Sequence, residues 1–192
     1  MIIKKAIILA GGSGTRLKPI TSIINKHLLN IYDKPLIYYP ISTVLLAGIR
    51  EILLIANKDQ IIFFQSLLGD GKLFGMKIEY AIQENPNGLP EAFTIGEKFV
   101  GKDPICLNLG DHILFGQGLP DLLESKFNNF KTNTIFSLES LNTRDYGVIE
   151  FDKRGKPKKI IEKPKKTLSK NIITGIYAFS NEVLELSKKL KK

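Results

Sequence analysis

Short apolar runs alternate with longer mixed segments along the first two thirds of the chain. Residues 6–10, 51–56, 77–83 and 104–109 are strand-length, rich in Ile, Leu and Ala, and followed by Gly11, Asn57, Glu84 and Gly110. Such runs suit strands buried on both faces, while 77–83 alternates as a half-buried strand does. Helical spacing fills the intervals. Leu36, Tyr39, Ile41, Val44, Leu45 and Leu46 predict a helix opened by Asp33-Lys34-Pro35 and closed by Gly48. Residues 61–68 predict a second helix, stopped at Gly69, and 91–99 a third behind Pro90. The order β-α-β-α-β-α-β predicts an α/β fold, Rossmann-like, with a mostly parallel central sheet and helices on both faces.

The pattern then changes. Residues 119–130 read as a helix and 134–138 as a strand. Residues 147–152 and 157–162, joined by Lys153-Arg154-Gly155, read as a small β-hairpin excursion. A last strand over 172–179 precedes a helix over 182–190, with Ser180 and Asn181 as cap candidates. There is no repeat or linker, so residues 1–192 are expected to form one domain.

Composition narrows the class. One cysteine, Cys106, excludes an internal disulfide and a cysteine-based metal set. No apolar run approaches the roughly 20 residues of a membrane span, so a cytoplasmic protein with no membrane partner is expected. The net charge of +9 is local: residues 1–151 hold 15 Lys+Arg and 15 Asp+Glu, residues 152–192 hold 13 and 4. The basic runs Lys158-Lys159, Lys165-Lys166 and 188–192 lack interleaved aromatics, which argues against a nucleic-acid partner.

The chemistry gathers at strand ends. Gly11, Gly12 and Gly14 after the first strand permit a tight turn whose N–H groups converge on an anion, and Arg16 adds a fixed charge. Neither the Walker nor the dinucleotide spacing fits, so the turn reads as a phosphate cradle or as a purely structural turn. Asp111 follows a buried strand behind Gly110; one carboxylate plus substrate phosphates is the usual way to hold Mg²⁺. The lesser alternative is that it caps the next helix. His112 reads as a polar wall beside it. Lys26 is a lone base, and His27 shows no partner for acid–base work. Gln83 ends a strand and could read a base edge with its amide. Glu162-Lys163-Pro164 ends a hairpin strand and reads as a surface turn or a pocket wall.

The segments Leu9-Ala10-Gly11-Gly12-Ser13-Gly14-Thr15-Arg16-Leu17, Tyr32-Asp33-Lys34-Pro35-Leu36-Ile37-Tyr38-Tyr39-Pro40, Leu109-Gly110-Asp111, Tyr146-Gly147-Val148 and Glu162-Lys163-Pro164 together resemble the sugar-1-phosphate nucleotidyltransferases, in particular the glucose-1-phosphate thymidylyltransferase branch. The resemblance implies that Leu9, Gly11, Gly12, Ser13, Gly14, Thr15 and Arg16, with Lys26 and His27, hold the nucleotide. Gln83 and Gly88 would contact the thymine, and Asp111 would bind Mg²⁺. His112, Tyr146, Gly147, Glu162, Lys163 and Ile173 would lie along the sugar phosphate. Arg16, Lys26 and Lys163 would be catalytic.

The implied substrates are dTTP and glucose 1-phosphate, the products dTDP-glucose and pyrophosphate, and homo-oligomeric assembly is compatible with the family. Departures exist: Asn25 and Asn30 stand where Ser and Pro are common, Pro90-Glu91 replaces Ala-Gln, and His112 replaces Asn. The branch is also about half as long again, and its remainder carries a second metal aspartate. A nucleotide-binding protein without turnover and a related uridylyltransferase are the other readings.

Overall fold

The computed structural model describes residues 1–12, 14–85, 87–167 and 169–190. Ser13 of the glycine turn, Pro86 of the turn before the third helix and the last two lysines of the 188–192 run lie outside the described residues.

Four strands run parallel: β1 (Lys5–Leu9), β4 (Glu51–Ala56), β5 (Lys77–Ile82) and β6 (Ile105–Leu109), in the order β5-β4-β1-β6. β1 is central. Its Ala6, Ile7 and Ile8 are wholly buried, and each buried isoleucine contributes roughly 1.5–3 kcal/mol. One apolar layer lies under α1 (Tyr38–Leu46), α2 (Ile61–Leu68) and α5 (Leu119–Asn128). The other lies under α3 (Pro90–Ile95), α4 (Glu97–Val100) and α6 (Val183–Lys189).

The sheet continues past β6 with antiparallel strands. β10 (Asn171–Phe179) pairs with β6, with β7 (Thr134–Glu139) and, at Ile172, with Val148 of β8 (Gly147–Phe151). β8 forms the expected hairpin with β9 (Pro157–Glu162), completing an eight-stranded sheet. The turn is held by Asp152, whose Oδ1 accepts from the Arg154 and Lys156 amides at 2.8 and 3.0 Å.

Three local expectations are corrected. The first helix starts at Tyr38, because Lys34–Pro35 (β3) pairs instead with Asn30–Ile31 (β2). A residue before proline disfavours the helical region, which suits Lys34 to extended backbone. Pro40 sits within the first turn, where a missing N–H costs nothing. The expected 91–99 helix is broken at Gly96. A Cβ there would lie 2.8 Å from Ile7 Cδ1 and 3.2 Å from Leu53 Cδ2, so glycine is what lets this segment press onto the sheet. At α6 neither Ser180 nor Asn181 caps through its side chain. Their carbonyls accept the first-turn amides of Val183 and Leu184 at 3.2 and 3.0 Å instead.

Candidate active site

The register β5-β4-β1-β6 aligns Ala81, Ile55, Leu9 and Leu109 near one edge. Everything just beyond those residues therefore shares a rim: Gly11, Asn57, Gln83 and Asp111. Open α/β sheets bind ligands at this carboxyl edge. The antiparallel strands rise over the β6 end of the rim and enclose a cavity of about 730 Å³. Arg16, Asp111, His112, Tyr146, Gly147, Glu162, Lys163 and Ile173 all line it. These eight sequence candidates come from five separate stretches of chain, and the tertiary fold brings them to one hollow.

Arg16 reaches the cavity from a single 3₁₀ turn, Thr15–Leu17, entered through Gly14 at φ 60°. Only glycine adopts that backbone freely. A Cβ at Gly14 would also lie 2.9 Å from Thr21 Cγ2, and the Thr21 hydroxyl donates to the Gly14 carbonyl at 2.7 Å. Lys163, also on the cavity wall, is a non-glycine residue at φ 43°, its amide donating to the Tyr146 carbonyl at 3.1 Å. Its ammonium pairs with Glu162 at 3.4 Å.

Lys26, Gly12 and Asp111 form the link between glycine turn and cavity. The Lys26 ammonium donates to and ion-pairs with Asp111 Oδ2. It also lies 3.3 Å from where a Gly12 Cβ would stand. Burial alone would raise the Asp111 carboxyl, but the Lys26 hydrogen bond and charge outweigh it, so it sits below its ordinary range. The second oxygen, Oδ1, is 3.6 Å from His112 Nδ1. That ring nitrogen is buried and has no hydrogen-bond partner. Burial holds the His112 imidazole below its ordinary pKa, with Asp111 opposing and Lys26 assisting. His112 packs directly on Gly175, at the register shift of β10, where any side chain would overlap the ring.

The remaining candidates lie outside the cavity wall. Leu9 supports the rim through its carbonyl, which accepts from Gly110 N at 2.9 Å. Gly11 is buried against Gln83, Gly88 is exposed at φ 95°, and Thr15 is exposed in its 3₁₀ turn. His27 is 1% exposed and lies beneath the rim against Gly110. Its Nδ1 and backbone amide meet Asn25 Oδ1, while Asn25 Nδ2 donates to the Ala10 carbonyl at 3.1 Å. Burial first, and Lys26 second, push its pKa down to about 3, so it is neutral. It therefore shapes the floor rather than the wall.

Sequence reading missed several participants. Asp145 lines the cavity and pairs with Arg16 at 3.9 Å; an acid two residues before Gly147 was its only signal. Tyr177 lines the same hollow, its hydroxyl pKa raised by burial and then by Glu162. Asn25, noted only as a departure, is the buried tie between the 26–28 turn and the end of β1. Among the described residues no three His, Cys, Asp or Glu side chains cluster as a metal set. No described helix is long and apolar enough to cross a membrane.

A sheet edge that sets a glycine turn beside a hollow lined by Arg16, Lys163 and Asp111 is suited to phosphate chemistry. The profile of the nucleotidyl transferase family matches residues 5–192, and the chain belongs to that family. The glucose-1-phosphate thymidylyltransferase of Xanthomonas campestris is 48% identical over 188 residues, which is 98% of this chain and 64% of the relative. That of Neisseria meningitidis is 46% identical over 187 residues, 97% of this chain and 65% of the relative. The chain thus spans just under two thirds of these relatives' length. A Bacillus anthracis structure designated a glucose-1-phosphate thymidylyltransferase, in complex with sucrose, superposes with a TM-score of 0.89 at 34% identity, covering 98% of this chain and 76% of that one. A UDP-glucose pyrophosphorylase bound to UDP-glucose shares the fold at TM-score 0.86 and 24% identity.

Proposed function

We propose that residues 1–192 are the catalytic core of a glucose-1-phosphate thymidylyltransferase, joining dTTP and glucose 1-phosphate into dTDP-glucose with release of pyrophosphate. The observation that carries this reading is the joining of glycine turn to cavity. Gly12 abuts Lys26, Lys26 pairs with Asp111, and Asp111 and Lys163 both line the hollow. A nucleotide on the turn would extend its phosphates toward that hollow, and a sugar phosphate in the hollow would face them.

The chemistry asks little of a base. The second pKa of a phosphate monoester is about 6, so the attacking oxygen is already ionised near neutrality. No residue has to remove a proton, which agrees with the neutral, buried His27. What remains is alignment and charge neutralisation as one P–O bond forms and another breaks at the α-phosphorus. Lys163 would hold the incoming phosphate, Arg16 the departing pyrophosphate, and Lys26 the α-phosphate between them. Glu162 and the open backbone at Gly147 would position the sugar.

Asp111 fits a Mg²⁺ ion, since it is a partly exposed carboxylate on the cavity wall and such ions take few carboxylates plus substrate phosphates. When bound, Mg²⁺ supplies further neutralisation of the triphosphate. The test is to mix the protein with dTTP, glucose 1-phosphate and Mg²⁺ and follow pyrophosphate. Release that requires both substrates is expected. A thermal shift with dTTP but no pyrophosphate would instead indicate a binder without turnover.

A further inference from the structure

The turn between β5 and α3 contains a carboxylate that the phosphate chemistry does not use. Glu91, in the first turn of α3, accepts from Gln83 Nε2 at 2.7 Å and from Asn87 Nδ2 at 2.8 Å, with the Asn87 amide at 3.4 Å. One carboxylate thus ties together the end of β5 and the segment that carries Gly88. Gln83 is 2% exposed, so its amide must take its partners from the protein or a ligand rather than from bulk solvent. An ionised carboxylate only accepts hydrogen bonds. Gln83 must therefore offer Glu91 its NH₂ side, and its Oε1 is driven to the opposite side. There it faces the glycine turn: a Cβ on Gly11 would lie 2.5 Å from Oε1.

We propose that Glu91 is the positioning residue of the base subsite, fixing Gln83 so that it presents a carbonyl oxygen toward the nucleotide. The inference rests on the nucleotidyltransferase reading above. An amide locked this way favours a base whose ring nitrogen carries a hydrogen, as thymine and uracil do. It disfavours cytosine, whose corresponding ring nitrogen is a bare lone pair set against Oε1. The selectivity then resides in the Glu91–Gln83 pair, because Gln83 alone could turn its amide over to suit either base.

The test measures equilibrium binding of dTTP, UTP and dCTP to the full chain. The wild type is expected to bind dTTP and UTP more tightly than dCTP. Glu91→Leu, which removes the acceptor at similar bulk, is expected to reduce the dTTP-to-dCTP preference roughly tenfold, the scale of one hydrogen bond. Glu91→Gln, which can still turn an oxygen to Gln83, is expected to retain most of the preference. If Glu91→Leu does not fold, Glu91→Asp withdraws the carboxylate by one methylene and is expected to lower the same ratio. A wild type without preference between dTTP and dCTP would overturn the base-site reading and this inference with it. A wild-type preference that survives in every folded Glu91 variant would overturn the role of Glu91 alone.

Discussion

The Lys26 ammonium pairs with Asp111 Oδ2 across 85 residues of sequence, joining the segment after the glycine turn to the loop after β6. Lys26 is the less exposed partner, at 19% of its side chain against 36% for Asp111. Each serves as the other's counter-charge; in the proposed reaction, phosphates and a cation would compete for them. Lys26→Ala and Asp111→Ala are each expected to lower pyrophosphate release by roughly 10²–10³, the scale seen when one preorganised charge or donor is removed. Near-normal turnover in either variant would remove that residue from the reacting centre.

His27 makes stability depend on pH. Its pKa falls from 6.5 to about 3, with burial as the first cause and Lys26 as the second, against an opposing Asp111. Between those values the unfolded chain binds a proton that the folded chain refuses, so stability drops as pH falls from 6.5 toward 3. At one pH unit below 6.5 the loss is about 1.4 kcal/mol. Urea unfolding in EDTA at pH 7.5 and 5.5 is expected to show that decline in the wild type and to show less of it in His27→Gln. Equal declines in both proteins would assign the sensitivity to other groups.

Local pattern was enough for the elements whose apolar period is complete within one segment. Residues 51–56 and 61–68 read from sequence as they stand in the fold, and so does the 157–162 arm of the hairpin. The shared rim was legible too, because short parallel strands bring their carboxyl ends together. Tertiary choices were not legible. Lys34–Pro35 leaves its expected helix for a partner at Asn30–Ile31, and Gly96 breaks a helix because of Ile7 and Leu53 on the sheet below. In the site, His27 shows no signal of burial, since Gly110, from a distant stretch, packs against its ring. Asp145 and Glu91 acquire meaning only through Arg16 and Gln83, which the fold brings to them.

Gly175 marks the tightest packing on the cavity wall. It sits at the β10 register shift, and a methyl group there would overlap the His112 ring. Gly175→Ala must move the strand or expel the imidazole from beside Asp111. Overpacking of this kind costs roughly 1–3 kcal/mol. Adding His112→Ala to Gly175→Ala is expected to restore most of the lost stability, a coupling readable in a double-mutant cycle of unfolding free energies. Additive losses would show that the two residues are not the pair in conflict.

The positive charge of the chain is placed where it can steer substrates. Residues 152–170 hold nine Lys or Arg against two Asp or Glu. The same β9 hairpin strand gives Ile160 and Glu162 to the cavity wall, with Lys163 just beyond. Lys158 and Lys159 are exposed and lie outside that wall. Both proposed substrates are polyanions, and a one-signed field beside a cleft raises association rates by roughly 10–10³ in favourable cases. The double reversal Lys158→Glu, Lys159→Glu is expected to slow dTTP association about tenfold at low ionic strength, the lower end of that scale. Screening shortens from about 10 Å at 0.1 M salt to about 3 Å at 1 M, so the difference should close as salt is added. Stopped-flow association at several salt concentrations separates the possibilities. A slowing that persists at 1 M salt would indicate direct contact with the ligand, and no slowing at low salt would return the lysines to the role of a charged sheet edge that resists pairing with other chains.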